Sequence, residues 1–405
     1  MHILLIHQAF AAIDEPGGTR HHEMAKNLAV KGHKITVIAS PISYLTGNSA
    51  KQRIPWIEKQ DGGKNITILR AFTYRALHKS FVHRIFSFFS FMFSSFFIGI
   101  KIKNVDLVWG TSPPIFQGLT AWLLARLKSA KFLFEIRDLW PAFAVAVGVL
   151  KNPLLIRLST LLEKFLYRRA DQLMVNSPGF IFHIQEKGGK DIQLIPNGAD
   201  ATMFDPHLKG LGFRKKHGLE NKFIALYAGA HGMSNDLDVV LDAAKIIENQ
   251  KEIAIILLGD GKEKQRLIEK VKGLNLYNLH FIPPVPKDEM QEALAASDLC
   301  IAILKPIEMY KTVYPNKVFD YMAAGRPTAL AINGVIRQVV EEANAGVFVK
   351  PGNSEALAEA IVKMFSSPEK SISMGLAGRA YLEKHFDRKV LTEKFEIMIQ
   401  KMVEQ

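Results

Sequence analysis

The chain has almost no cysteine: Cys300 is the only one in 405 residues, which excludes an internal disulfide and indicates a reducing compartment. No complete G-x-G-x-x-G follows a predicted strand, and G-x-x-x-x-G-K-S/T does not occur. These absences argue against a dinucleotide oxidoreductase and a P-loop NTPase. The first ten residues, MHILLIHQAF, lack the basic start and the long apolar run of a signal peptide. We therefore expect a first strand there and a cytoplasmic protein.

A formal charge of +13 indicates an anionic partner, which could be nucleic acid, a membrane surface or a phosphorylated ligand. Zinc-finger spacing and RRM-like aromatic motifs are absent, and the lysines are scattered rather than gathered in one block. We therefore expect no nucleic acid. An anionic membrane surface and a phosphorylated ligand remain.

Short apolar runs alternate with helical patterns along the chain. The predicted strands are 3–7, 35–39, 66–71, 106–110, 132–136, 172–176, 192–195, 223–228, 253–258, 279–282, 299–303, 328–331 and 346–349. Hydrophobic, β-branched strands that alternate with helices indicate an α/β fold with doubly wound parallel sheets. The series restarts near residue 220, after a turn-rich stretch at 196–218, which indicates two such sheets.

We divide the chain accordingly into an N-terminal Rossmann-like domain at 1–200 and a C-terminal one at 201–385. A final helix at 386–405 could pack back on the first domain. In open parallel sheets, ligands bind beyond the carboxyl ends of the strands. The active site is therefore expected in a cleft that the two domains face.

Two glycine pairs lie in loops of this kind. Gly17 and Gly18 follow the first strand and precede a helix, while Gly259 and Gly261 directly follow a strand in LLGDGKEK. Glycine lets backbone N–H groups approach an anion at a helix N-terminus, so both pairs are candidates for donor binding. A flexible turn is the alternative for the first pair, and two glycines alone are weak evidence for the second.

The most informative stretch is YKTVYPNKVFDYMAAGRP at 310–327, which enters a helix near Asn316. Lys317 lies in the first helical turn, where N–H groups and the helix dipole already favour anions. Asp320 follows one turn later, where its carboxylate could bind a ribose diol. The alternative is an exposed salt pair between Lys317 and Asp320.

This stretch resembles the signature helix of retaining GT-B glycosyltransferases of family 4, in which two glutamates stand eight positions apart before an Ala/Gly-rich end. Asp320 falls on the second acidic position, which implies that it holds the nucleotide ribose. Thr312 falls on the first, so that position lacks its carboxylate, and Glu308 is a nearby acid that could substitute. Further landmarks of the family are the GGTR loop with EMAKNLAVKGHKITVIA, IPNGAD, YAGAHG and LLGDG.

The resemblance also implies how the diphosphate is held. The family places an Arg and a Lys after the YAG-type strand, and here Ala230 and Asn235 stand at those positions. More of the diphosphate binding then falls on Lys317, with hydrogen bonds from His231 and Asn235. Asp236 and Asp238 imitate the D-x-D metal motif of the other glycosyltransferase fold, but they better supply acid to a helix N-terminus. We expect no metal site and no cofactor.

The implied activity is transfer of a sugar from a UDP-sugar, with retention of configuration, to a polyprenyl-diphosphate-linked acceptor. FEIRDLWP, YAGAHGMSNDLD and YPNKVFDYMAAGRP together resemble a bacterial O-antigen and surface-polysaccharide subgroup of the WbuB type, which implies transfer of N-acetyl-L-fucosamine. Arg137 and Asp138 follow a strand where the family often has a His-Asp pair, so they are candidate catalytic residues; a local ion pair is the alternative. His21 and His22 open a helix and fit solvated caps.

Sixteen uncharged residues at 85–100, IFSFFSFMFSSFFIGI, lie between basic residues. A helix of this length spans about 24 Å, short of the roughly 30 Å hydrocarbon core of a bilayer. Serines form a narrow polar stripe and phenylalanines cover the rest. We expect the helix near 81–103 to lie in the interface of the cytoplasmic membrane, on its inner face, with the protein peripheral. A core helix of the first domain is the alternative.

Two other classes of function stay open. A UDP-sugar 2-epimerase shares twin Rossmann-like domains but needs no acceptor lipid, and the carboxylate-rich cleft expected of it is not evident. A non-catalytic membrane-bound scaffold with a decayed nucleotide site would explain the departures at Thr312, Ala230 and Asn235.

Overall fold

The computed structural model describes residues 1–12, 15, 18–43, 47, 49, 52–75 and 81–404. The chain forms two units. Unit 1 holds residues 1–12, 18–196 and 389–404, and unit 2 holds Asn197–Arg388. The division lies four residues before the expected boundary at 200, and the end of the chain returns to unit 1.

The strands are β1 (His2–Ile6), β2 (Lys34–Ala39), β3 (Ile57–Asp61), β4 (Ile66–Ala71), β5 (Leu107–Ser112), β6 (Lys131–Ile136), β7 (Gln172–Val175), β8 (Ile192–Leu194), β9 (Phe223–Ala228), β10 (Ile253–Leu258), β11 (Leu279–Ile282), β12 (Leu299–Ile303), β13 (Thr328–Ala331) and β14 (Gly346–Phe348). The helices are α1 (Arg20–Val30), α2 (Phe81–Ile100), α3 (Phe116–Leu127), α4 (Ala142–Ala146), α5 (Pro153–Arg169), α6 (Ile181–Glu186), α7 (Leu211–Lys216), α8 (Leu237–Ile246), α9 (Lys264–Gly273), α10 (Met290–Ala296), α11 (Asn316–Ala323), α12 (Val335–Glu342), α13 (Ser354–Phe365), α14 (Pro368–His385) and α15 (Arg388–Glu404).

The sheet of unit 1 has the order β3-β4-β2-β1-β5-β6-β7-β8 in the described residues. β1 lies at its centre and pairs in parallel with β2 and β5. Among the strands described for this sheet, β3 alone runs antiparallel, against β4. Its sequence, IEKQD, alternates exposed and half-buried residues and contains no apolar run, so hydrophobic periodicity missed it.

Unit 2 contains a parallel sheet of order β11-β10-β9-β12-β13-β14. Alternate side chains of β9 enter two separate cores. Leu226 and Ala228 face one core with residues of α11 and α12, whereas Ala225 and Tyr227 face the other with residues of α8 and α13. The prediction of two α/β domains with doubly wound parallel sheets is confirmed.

Helices cover both faces of the sheet of unit 1. On one face, α1 and α15 enclose a core in which the rings of Trp109 and Phe395 lie 4.7 Å apart. On the other face, α3 packs on β5 and β6 and also contacts α2 and α5. Glycines permit these close approaches, because a Cβ at Gly99 of α2 would lie 2.4 Å from Leu124 Cδ1 of α3.

The serines of α2 lie on its buried side. Ser87, Ser94 and Ser95 are buried, and Ser94 Oγ donates a hydrogen bond to the carbonyl of Phe72 at 2.6 Å. By length and composition, the helical stretch Val82–Ile100 could cross a membrane. However, 39% of this apolar stretch is buried inside the structure. The helix is therefore part of the fold on one side and exposes aromatic residues on the other, chiefly Phe86, Phe93 and Phe97.

Gly110 tests the packing of α3 on the sheet. A Cβ at this position would lie 2.6 Å from the Cβ of Ala121, which is fixed to the α3 backbone. We expect Gly110→Ala to destabilise unit 1 by about 1–3 kcal/mol through overpacking. All four tryptophans lie in unit 1, so urea unfolding followed by tryptophan fluorescence measures this loss. Gly18→Ala, also in unit 1, where a Cβ meets nothing within 4 Å, is the control. Equal midpoints for Gly110→Ala and wild type would contradict the packing described here.

Candidate active site

Three glycines shape the ends of two neighbouring strands in unit 2. Gly229 follows β9, and Gly259 and Gly261 follow β10, all with positive φ. A Cβ at Gly259 would lie 1.9 Å from the carbonyl oxygen of Gly229, and one at Gly261 would lie 2.5 Å from that of His231. The glycines therefore let the two loops touch along their backbones, which gives Gly259 and Gly261 a structural role in building the site.

Lys317 lies beside this pair of loops, at the N-terminus of α11. Its Nζ is 3.9 Å from the ring centre of Tyr227 and 3.4 Å from Oδ1 of Asn235. A Cβ at Gly229 would come within 2.9 Å of the same nitrogen, so glycine leaves room for the amine. Burial lowers the pKa of Lys317 to about 7. The structure thus brings Lys317 and Asn235 together, as required of a joint anion site.

Asn316 and His231 carry polar atoms without hydrogen-bond partners in the described part of the chain. The Oδ1 of Asn316 and both ring nitrogens of His231 are buried and unpaired there. Burial lowers the pKa of His231 to about 4, with a smaller lowering from Lys264, so the ring is neutral. Buried polar atoms normally have partners, so these three unpaired atoms are candidates for hydrogen bonds to a ligand.

Asp320 and Thr312 are held by contacts that the sequence did not reveal. Asp320 Oδ1 forms an ion pair of 2.5 Å with Nζ of Lys287, and both side chains are largely buried. Thr312 ends a short 3-10 helix at Glu308–Thr312, and its hydroxyl donates to the carbonyl of Met309 at 2.6 Å. The exposed salt pair between Lys317 and Asp320 is therefore the wrong alternative, because Lys317 contacts Tyr227 and Asn235 instead.

Of the first glycine pair, Gly17 lies outside the described residues. Gly18 is exposed, and a Cβ at this position would meet nothing within 4 Å. The surroundings of Gly18 therefore leave room for a larger side chain.

Arg137 and Asp138 follow β6 of unit 1, close to the end of β1. A guanidinium N–H of Arg137 donates to Nε2 of His7 at 2.9 Å, and Nδ1 of His7 lies 2.9 Å from the hydroxyl oxygen of Thr111. Because arginine only donates, Nε2 must accept and Nδ1 carries the proton. Burial raises the pKa of Asp138 to about 7 against the opposing effect of Arg137, so near neutral pH this carboxyl can hold or release a proton.

A second buried cluster in unit 1 escaped the sequence analysis. The carboxylate of Glu135 accepts hydrogen bonds from Arg20 at 3.1 Å, His21 at 2.7 Å and Trp109 at 3.0 Å. The expectation that His21 is a solvated cap is wrong, since the side chain is 2% exposed. Burial raises the pKa of Glu135, but the hydrogen bond from His21 and the adjacent Arg20 guanidinium outweigh it and hold this pKa well below its ordinary value. Glu135 and Arg137 are two positions apart in EIR at 135–137 and so point to the same side of the extended chain; that spacing was the available signal.

Comparison with known families agrees with this arrangement. Residues 17–198 match the family described as glycosyl transferase 4-like domain, and residues 212–381 match glycosyl transferases group 1. The two matches do not overlap and together span most of the chain. The chain is a group 1 glycosyltransferase.

Relatives and solved structures extend the likeness to the whole transferase. This chain is 25% identical over 388 residues to the putative colanic acid biosynthesis glycosyl transferase WcaI of Escherichia coli K12. The match covers 92% of this chain and 93% of that protein. The sucrose-phosphate synthase of Thermosynechococcus elongatus superposes with a TM-score of 0.80 at 17% identity, covering 99% and 98%. Anabaena HepE in complex with UDP-glucose gives 0.72 at 15% identity, covering 99% and 100%. The superpositions show the GT-B fold.

The neutral state of His21 predicts a pH dependence of stability. In the unfolded chain His21 takes up a proton as the pH falls through about 6.5, whereas in the folded transferase burial lowers its pKa to about 4. The unfolded state therefore binds more protons between these values, and the free energy of unfolding falls as the pH drops from 6.5 towards 4.

His21→Gln keeps a donor towards Glu135 but does not titrate. We expect its free energy of unfolding to fall less than that of wild type between pH 6.5 and 5, by up to about 1 kcal/mol per pH unit. Urea unfolding by tryptophan fluorescence at both pH values measures this, with His207→Gln at an exposed position in unit 2 as the control. Identical slopes for His21→Gln and wild type would show that the pKa of His21 is the same in the folded and unfolded states, which contradicts the buried neutral ring.

Proposed function

We propose that this transferase moves a sugar from a UDP-sugar, bound by unit 2, to a polyprenyl-diphosphate-linked acceptor, bound by unit 1. The transfer would retain the anomeric configuration, need no metal and serve bacterial surface-polysaccharide or O-antigen synthesis. Two relatives support this: WcaI is named for colanic acid biosynthesis, and HepE is described with UDP-glucose. The subgroup resemblance favours N-acetyl-L-fucosamine as the sugar.

The observation that carries the donor side is the position of Lys317. Its amine lies at a helix N-terminus, beside the glycine loops of Gly229 and Gly259, and is poorly solvated. A diphosphate there would receive the lysine charge, the backbone N–H groups of α11 and the helix dipole. Such preorganised charge stabilises a leaving diphosphate as negative charge develops on it.

Neighbouring residues complete the donor site in this proposal. Asn235 holds the lysine amine through its Oδ1, and neutral His231 and Asn316 supply unpaired polar atoms. Asp320 binds the ribose with Lys287 orienting one carboxylate oxygen. Glu308 is a poor substitute for the acid missing at Thr312, because its exposed carboxylate already pairs with Lys311 at 2.7 Å.

Arg137 and Asp138 are the proposed catalytic residues on the acceptor side. His7 fixes the guanidinium of Arg137, which suits contact with a phosphate or a polar sugar group. Burial raises the pKa of Asp138 to about 7, and its ionised form can orient the acceptor hydroxyl by accepting a hydrogen bond from it. The leaving phosphate takes the proton of the acceptor hydroxyl in this scheme.

The aromatic side of α2 supports a location on the inner face of the cytoplasmic membrane. Phe86, Phe93 and Phe97 are each more than half exposed and repeat at helical spacing. No Asp or Glu occurs from 62 to 105, whereas basic residues flank the helix on both sides. An apolar face with basic surroundings binds the interface of an anionic bilayer.

A catalytically inactive scaffold is the second candidate, because Thr312, Ala230 and Asn235 all depart from the family pattern. It predicts UDP binding without turnover. The two functions therefore differ in one measurable step.

Removing the Lys317 amine tests the donor site. We expect Lys317→Met to lower turnover by about 10²–10³-fold, because one charge donor to the transition state is lost. The thermal midpoint of this variant should stay equal to wild type or rise, since a poorly solvated cation is removed. Lys311→Met, which changes an exposed lysine of the adjoining 3-10 helix, is the matched control and should keep full turnover. Near-normal turnover of Lys317→Met would refute the assignment.

The membrane proposal is tested with vesicles. Phe93→Gln/Phe97→Gln removes two exposed aromatic side chains of α2 without disturbing its buried face. We expect about tenfold weaker partition into phosphatidylglycerol/phosphatidylcholine vesicles, measured by co-sedimentation. Leu211→Gln/Ile372→Gln, at comparably exposed positions of unit 2, is the control. If the α2 variant partitions into the vesicles as strongly as wild type, the exposed aromatic face of α2 is not the membrane contact.

A further inference from the structure

Helix α5 exposes leucine and buries polar residues. Leu154, Leu158 and Leu161 follow one another at intervals of four and three and are 62%, 53% and 56% exposed. Ser159 and Glu163, on the opposite side, are buried. A surface helix of a water-soluble domain normally has the reverse arrangement.

The buried side of α5 is fixed by specific contacts. Glu163 accepts a hydrogen bond from the hydroxyl of Tyr167 at 3.1 Å and pairs with His183 at 2.9 Å and Lys187 at 3.4 Å. Rotating the helix to bury the leucines would expose this carboxylate and break its contacts to His183 and Lys187, which lie outside α5. The outward direction of the leucines is therefore set by the fold of unit 1.

The charges around α5 select the kind of partner. From 139 to 170 the only acidic residue is Glu163, which is buried, whereas Lys151, Arg157, Lys164, Arg168 and Arg169 are basic. Arg157 lies exposed between Leu154 and Leu158. A leucine stripe with basic neighbours and no exposed acid in the same segment, 139–170, complements an anionic lipid surface, where leucine enters the acyl boundary and arginine contacts phosphate.

Helix α5 also lies in the same helical layer as α2. Helix α3 contacts both, and the ring of Phe116 in α3 lies 5.0 Å from Phe89 of α2 and 5.7 Å from Trp140, which precedes α4. Both helices bury their polar residues against unit 1 and expose apolar ones. We propose that the exposed leucine face of α5 is a second contact surface for an anionic phospholipid bilayer, separate from the aromatic face of α2. This inference rests on the proposed membrane location and adds a second contact, which would fix the rotation of unit 1 on the bilayer.

The test compares full-length wild type with Leu158→Gln/Leu161→Gln and with the α2 variant Phe93→Gln/Phe97→Gln. Each is co-sedimented with vesicles of 3:7 phosphatidylglycerol/phosphatidylcholine and of phosphatidylcholine alone. We expect the α5 variant to partition about tenfold more weakly than wild type into the anionic vesicles. Arg157→Gln leaves the leucines in place and removes one charge. It should weaken binding to the anionic vesicles about threefold and leave binding to the phosphatidylcholine vesicles unchanged. Leu211→Gln/Ile372→Gln is the control, and thermal unfolding verifies that each variant is folded.

The outcomes separate the two proposals. If the α5 variant and Arg157→Gln bind as wild type while the α2 variant loses binding, the α5 inference is wrong and the α2 contact stands. If the α2 variant binds as wild type while the α5 variant and Arg157→Gln lose binding, the α5 contact is supported and the α2 contact is not. If light scattering shows that wild type is an oligomer and the α5 variant a monomer, the leucines cover a second copy of the chain and the inference is overturned.

Discussion

The electrostatics of one poorly solvated lysine amine is the constraint on which the proposed donor site depends. Because Lys317 is partly removed from water, its charge is costly, and burial lowers its pKa to about 7. The ring face of Tyr227, Oδ1 of Asn235 and the glycine at 229 compensate part of that cost and keep the amine in one place. An arriving anion would favour the protonated form, so the site is arranged for a ligand rather than for stability alone.

In unit 1, as in unit 2, the candidate site residues lie at the carboxyl ends of neighbouring parallel strands. His7 follows β1, Thr111 belongs to β5 and Arg137 follows β6, so three adjacent parallel strands deliver the members of one hydrogen-bonded chain. Glu135, two residues earlier on β6, points to the same side as Arg137 and joins Arg20 and His21 of α1. The rings of His7 and His21 lie 4.2 Å apart, so the buried carboxylate group adjoins the arginine that can meet a ligand.

The sequence predicted those features that depend on local patterns. Uninterrupted apolar runs placed most strands within one or two residues, and YPNKVFDYMAAGRP located Lys317 at the start of α11. Features that depend on distant partners were missed. Lys287 reaches Asp320 from another segment of unit 2, His21 is buried by Glu135 more than a hundred residues away, and β3 has no apolar pattern. The serines of α2 marked its polar stripe, but only the fold determines that this stripe is buried.

The most direct test of the account is UDP release from a panel of UDP-sugars, with and without a polyprenyl-diphosphate-linked N-acetylhexosamine. The account predicts that one UDP-sugar releases UDP and that the release requires the lipid-linked acceptor. Conversion of a UDP-sugar without any acceptor would identify an epimerase. UDP binding with no turnover under either condition would contradict catalysis and support the scaffold.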